Sequence, residues 1–225
     1  MTQNTPPTQV DDVVVQGQRR KNGTLDSFPS LPAQPEPLPP DHIGIEPDAG
    51  FSPCDNPTTA YDWRMDAAAA KGRTKLAQKR QAEGDSDFNT REYGAWLYRK
   101  PDGSIEVGPV HVGEPFTSGG VGSVNLPYGD IDPATIVGSI HSHSAGNHLP
   151  SSTAPDGSGD VAHLAFISSL GIGAQARMYI VAQVLVQPDQ SSWDRINVYT
   201  PATAQAALDN QQVGPEVNPN AVPCP

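Results

Sequence analysis

Ile136-Val137-Gly138-Ser139-Ile140-His141-Ser142-His143 is the stretch that decides the reading of this chain. Its first residues are apolar, small or β-branched, which suits a strand buried in the middle of a sheet. Residues two apart on a strand point to the same side, so His141 and His143 project together from its end. Two neutral imidazoles placed this way suit one small cation, and zinc is the usual choice. The loop that follows carries Asp156 and Asp160, either of which would close the site as an oxygen ligand. Three protein ligands and one open position define a catalytic zinc, not a structural one. Cys54 and Cys224 lie in the terminal segments, so a thiolate-rich structural site is not expected.

A hydrolytic zinc also needs a base, because the proton of the activated water must be taken up and passed to the leaving group. Glu92 is the candidate. It heads the strand-like run Glu92-Tyr93-Gly94-Ala95-Trp96-Leu97-Tyr98, and Gly94 leaves space beside it. If this strand neighbours the His-x-His strand, Glu92 and His141 face one cavity; otherwise Glu92 is a surface charge at a strand end. Pro101-Asp102-Gly103 is a strong turn signal, and Ser104 to Val112 should return as a second strand. Gly113 to Asp132 reads as an irregular Gly-rich loop. Val161 to Leu170 reads as a short helix opened by Asp160 and closed by Gly171. Tyr179 to Val186 and Arg195 to Tyr199 are further strands, and Thr203 to Asp209 a short helix. His163, His111 and His42 read as surface or packing residues, His148 as a surface residue or one that approaches the metal or substrate, and Trp63, Trp96 and Trp193 as packing residues.

Upstream, Thr59 to Glu83 lacks proline, and its one glycine is Gly72. Asp66-Ala67-Ala68-Ala69-Ala70 and the Lys/Gln/Arg-rich run after it are strong helix formers, giving a helix that Gly72 could break. Lys71, Arg73, Lys75, Lys79 and Arg80 form a basic outer face, either solvated or set against an acidic partner. Residues 1–58 carry nine prolines between Pro6 and Pro47 and read as a disordered Pro-rich tail. Val13-Val14-Val15 is the one candidate ordered element there, either a short sticky segment or a peptide that adds a strand to a partner's sheet. The folded domain is thus expected over 59–205, with a second polar, disordered tail over 206–225. The fold class is α+β: a small central sheet, the Ala-rich helix and a short helix after the His-x-His strand.

Composition narrows the function. Lys and Arg number 14 against 25 Asp and Glu, a formal charge of −11. That argues against nucleic acid as a partner, since phosphate contacts need clustered cations, and against an anionic membrane surface. No apolar run approaches the roughly 20 residues of a spanning helix. The N-terminus has neither the basic region nor the apolar core of a Sec signal, so the expected location is cytoplasmic, or secreted by another route.

Taken together and in order, these words resemble the JAB/MPN metalloprotease superfamily: an upstream Glu, His-x-His, about seven residues, then Ser-x-x-Asp. More narrowly, Asp66 to Ala70, Asn89 to Tyr98, Pro101-Asp102-Gly103, Val137 to His143 and Ser158-Gly159-Asp160-Val161 resemble the bacterial domain-of-unknown-function family 4329, over roughly residues 60–202. The resemblance implies zinc, one ion per chain, held by His141, His143 and Asp160. It implies Glu92 as general base and acid, Ser158 as the serine that stabilises the oxyanion, and a peptide or isopeptide bond as substrate. It further implies a bacterial effector or toxin module whose partners include a protein or peptide substrate and an immunity or delivery protein. The spacing departs from the motif. Ser151 follows His143 at the family distance, but Ala154 stands where the Asp should be, and Ser158 to Asp160 is one residue short. The third ligand therefore stays open between Asp160 and Asp156. Two further readings follow: a JAB-like binding module that has lost its chemistry, and a metal-dependent nuclease built on His141, Asn147 and His148.

Overall fold

A computed structural model describes residues 13–18, 54–85, 90–116, 121–144, 146–151, 159–183, 194–218 and 221–225. The strand β6 (Ile136–Ser142) is central, as its apolar run requires, and every one of its residues is buried. On one side it pairs antiparallel with β2 (Arg91–Arg99), with Gly94 opposite His141. On the other it pairs parallel with β7 (Arg177–Gln183), which pairs antiparallel with β8 (Asp194–Tyr199). β3 (Ile105–Val107) and β4 (His111–Pro115) both pair with the far edge of β2 and complete a mixed six-stranded sheet. A parallel neighbour requires a crossover, and the short helix α2 (Asp160–Ile167) lies on the path from β6 to β7. The expected α+β class is what the chain forms.

The long helix α1 (Pro57–Ala82) packs on one face of the sheet. Tyr93, Ala95, Leu97, Ile140, Tyr179, Val181 and Ile196 point to it and form one core with Met65, Ala68, Ala69 and Leu76. The alternate residues Trp96, Met178, Ile180 and Tyr199 point the other way. There they meet α2, the helix α3 (Ala204–Asn210) and a strand β5 (Val121–Leu126) that is paired antiparallel with β1 (Val13–Gln18). His141 lies on this second face, being opposite Gly94 and in register with Ile180.

Local chemistry explains the helix. Asn56 caps it by accepting from the Thr58 N–H at 2.9 Å, and Pro57 opens it with a residue that has no N–H to satisfy. The sequence left open a break at Gly72; the helix runs through it unbroken. A Cβ at Gly72 would stand 2.9 Å from Ile140 Cγ2, so the glycine lets α1 approach β6 closely. Arg177 anchors the helix to the sheet through Asp62 at 2.8 Å, and the Tyr179 hydroxyl donates to Asp66 at 3.0 Å.

Four boundaries differ from the sequence reading. Ser104 to Val112 is not one strand: β3 and β4 are separate, divided around Pro109, which cannot donate to a ladder. The Gly-rich stretch after Gly113 contains β5, whose alternation of buried Val124 and Leu126 is masked by the glycines around it. Within the presumed N-terminal tail, Val13–Gln18 forms β1; the proline-rich residues around it lie outside the described residues. The presumed C-terminal tail is also structured. Val198 N–H donates to Pro215, Val217 N–H donates to Ile196, Val217 is buried, and Cys224 forms a disulfide with Cys54. A polar composition hid a segment held by backbone hydrogen bonds to β8, by burial of Val217 and Ala221 and by one covalent bond.

Candidate metal centre

The site is assembled from three elements. β6 supplies His141, and His143 follows its last residue with the N–H still bonded to Val181 of β7, so both share a face with Ser139 as the extended chain alternates. β2 supplies Glu92, two residues before Gly94 and so on the same face. A Cβ at Gly94 would lie 3.3 Å from His141 Cβ and 3.0 Å from Val124 Cγ1 and Leu126 Cδ2, so the glycine admits β5 over the site. A Cβ at Gly122 of β5 would lie 3.1 Å from Glu92 Cγ, so Glu92 also points into this layer. The two strands are tied at the site end by the Tyr93 N–H, which donates to Ser142 Oγ at 2.9 Å.

The third element is the N-terminus of α2. Gly159 enters it at φ 111°, a value open to glycine and strained for other residues. Asp160 follows, fully buried. Ser151 holds it from both sides: the Ser151 N–H donates to Asp160 Oδ2 at 2.6 Å, and the Asp160 N–H donates to Ser151 Oγ at 2.9 Å. Ser151 therefore does for Asp160 what an N-cap residue does, from nine positions away along the chain.

The ligand atoms converge. His141 Nε2 and His143 Nε2 are 3.0 Å apart; the first is 3.0 Å from Asp160 Oδ1 and the second 3.1 Å from Asp160 Oδ2. Two nitrogens and a carboxylate at these separations can be reached by one ion at about 2.0–2.2 Å, the usual zinc distances to nitrogen and carboxylate oxygen. The donor set of two imidazoles and one carboxylate suits a borderline divalent metal. The nitrogens that converge are the Nε2 atoms; His141 Nδ1 and His143 Nδ1, on the other side of each ring, have no hydrogen-bond partner among the described residues. His141, His143 and Asp160 thus form a buried group able to hold a metal ion.

Electrostatics agree with that use. Burial opposes ionisation of Asp160, but the two facing imidazoles outweigh it and hold its carboxyl well below the ordinary carboxylate range. Burial lowers the pKa of His141 against the pull of Asp160, which favours the neutral ring that a metal requires.

His141, His143 and Asp160, chosen from the sequence, are brought together, and Glu92 shares their face. Asp156 and Ser158 lie outside the described residues. The serine found on Asp160 is Ser151, which the sequence marked only by its spacing from His143. His163 is a packing residue: its Nε2 lies 2.8 Å from Ser139 Oγ, and its ring stacks on Trp96 with centroids 5.3 Å apart. Burial pushes its pKa down to about 3. His148 is half-buried, with Nδ1 3.1 Å from Asn197 Oδ1. The Tyr199 hydroxyl donates to the His148 carbonyl. His111 lies partly exposed on β4, opposite Gly94 on the side of β2 away from β6, and is not among the converging ligands. Asn197 went unremarked in the sequence; its only signal was a polar residue inside an apolar strand.

A scan against protein-family models finds no match to this chain, and a search of curated proteins finds none either. No helix among the described residues is long and apolar enough to cross a membrane.

Proposed function

We propose that the chain is a zinc-dependent hydrolase of peptide or isopeptide bonds. The observation that carries this reading is the convergence of two imidazole nitrogens and one carboxylate within about 3 Å of one another, with a buried glutamate on the adjoining strand. A zinc ion held by His141, His143 and Asp160 would supply Lewis acidity to the scissile carbonyl and to water.

The protein's own groups do the rest. Glu92, held under β5, takes the proton of the attacking water at its carboxylate and returns it to the leaving amine nitrogen. Ser151 fixes the Asp160 carboxylate so that the ligand set is preorganised. Gly122 leaves room for the Glu92 side chain between β2 and β5. Val124 and Leu126, packed over Gly94 beside His141, put apolar surface next to the site. The likeness to JAB-like domains supports the same roles, and supports a bacterial effector whose partners are a protein substrate and an immunity or delivery protein. The Cys54–Cys224 disulfide supports delivery to an oxidising compartment.

The test is hydrolysis of a panel of peptides and isopeptide-linked conjugates by the wild type and by Glu92→Gln. Loss of about 100-fold or more in rate with metal content unchanged fits a general base. Equal rates would remove Glu92 from the mechanism. A JAB-like binding module without chemistry is the second reading; the complete burial of the three ligands favours it. It predicts a tight protein partner retained after His141→Ala, and no turnover.

A further inference from the structure

The groups assigned to hydrolysis are sealed. His141, His143 and Asp160 expose no surface, and Glu92 is 1% exposed. Water and a polypeptide must reach these groups, so some element above them has to leave. β5 is anchored, since Val124 and Leu126 are fully buried in the core beside Trp96 and Leu164. β1 is different. It is paired with β5 alone, along its whole length, with Gly17 opposite Gly122 and Val15 opposite Val124. It also lies against α2, whose first residue is Asp160. β1 thus runs between β5, which abuts Glu92, and the helix that carries the third ligand.

Its attachment suits a removable part. A two-stranded ribbon has little stability of its own. β1 also lies outside the loop closed by Cys54 and Cys224, so it can depart while that closure stays intact. We infer that β1 is an intramolecular plug: a strand from the chain's own N-terminal segment that closes the metal site and must leave β5 before a substrate can enter. The inference rests on the metal site proposed above. It makes the N-terminal segment a regulator, removed by proteolysis or by a competing strand that takes its place on β5.

Release of zinc tests the plug without any substrate. The zinc-loaded full chain is mixed with an excess of a colour-forming chelator, and the release rate is compared with two variants. Val14→Pro/Val15→Pro weakens the pairing: successive N–H groups of an antiparallel strand point alternately toward and away from the partner, so one proline removes a ladder bond. Gln16→Cys/Ser123→Cys, at directly opposed positions, locks the pairing by a cross-link. The expected result is release about fivefold or more faster in the proline variant, one lost bond's worth, and slower in the cross-linked chain. Should the proline variant unfold, the cross-linked chain decides alone. Equal rates in wild type and cross-linked chain overturn the plug and leave the metal site standing. Failure of every chain to load zinc overturns the metal site, and the plug with it.

Discussion

Cutting the link between Cys54 and Cys224 should cost the domain much of its stability. The bridge joins positions 170 residues apart, spanning all three helices and every strand from β2 to β8. In the chain-entropy account, closing a loop of that size removes about 17 cal/mol/K from the unfolded chain, or about 5 kcal/mol at 25 °C. That is a ceiling, because measured bridges typically contribute about 2–4 kcal/mol. For a chain of this size each kcal/mol moves the midpoint by about 2–4 °C. The double variant Cys54→Ala/Cys224→Ala should therefore melt about 4–20 °C below the wild type when unfolding is followed by circular dichroism. The same shift should appear on reducing the wild type. The C-terminal segment should loosen first, since besides the bridge it is held by a few hydrogen bonds to β8, the Arg195–Glu216 ion pair and burial of Val217 and Ala221. A midpoint change below about 2 °C would refute the reasoning and show that noncovalent packing alone fixes the two ends.

Other outcomes follow from the same contacts. Gly94→Val should disrupt the site floor, since even a bare Cβ there meets Val124, Leu126 and His141; a loss of about 1–3 kcal/mol in chemical denaturation and weaker zinc uptake are expected. Ser151→Ala removes the acceptor for the Asp160 N–H and should lower zinc affinity about 10- to 100-fold in a competition titration, at a stability cost near 1 kcal/mol. His163 gives a pH dependence. Its folded pKa of about 3 lies below the ordinary value near 6.5, so the unfolded chain binds the extra proton, and stability falls as pH drops from about 6.5 toward 3. His163→Phe should flatten that part of the stability curve measured by urea unfolding at several pH values.

Much of the sheet was legible because its signals are local. The run from Ile136 to His143 is too apolar to be anything but central, and its two-residue period alone puts both imidazoles on one side. Gly94 was readable as space beside a ligand, and the structure places it directly opposite His141. What escaped were features set by long-range pairing. β5 hides its alternation among glycines, and the residues after Asn210 are ordered by hydrogen bonds to β8, by burial of Val217 and Ala221 and by the bond to Cys54. Counting from His143 reaches Ser151, but Ser151 and Asp160 meet across a loop longer than the motif allows, so the serine could not be joined to the third ligand by spacing. The plugging strand had a visible sequence, Val13-Val14-Val15, but its partner was visible only once β5 was seen.

Elemental analysis of the purified chain, prepared without added metal or chelator, bears most directly on the central claim. The wild type should carry about one zinc per chain, and His141→Ala/His143→Ala, still folded by circular dichroism, should carry none. A well-folded wild type that holds no metal and takes up no added zinc would contradict the account, and would turn the search from substrates to binding partners.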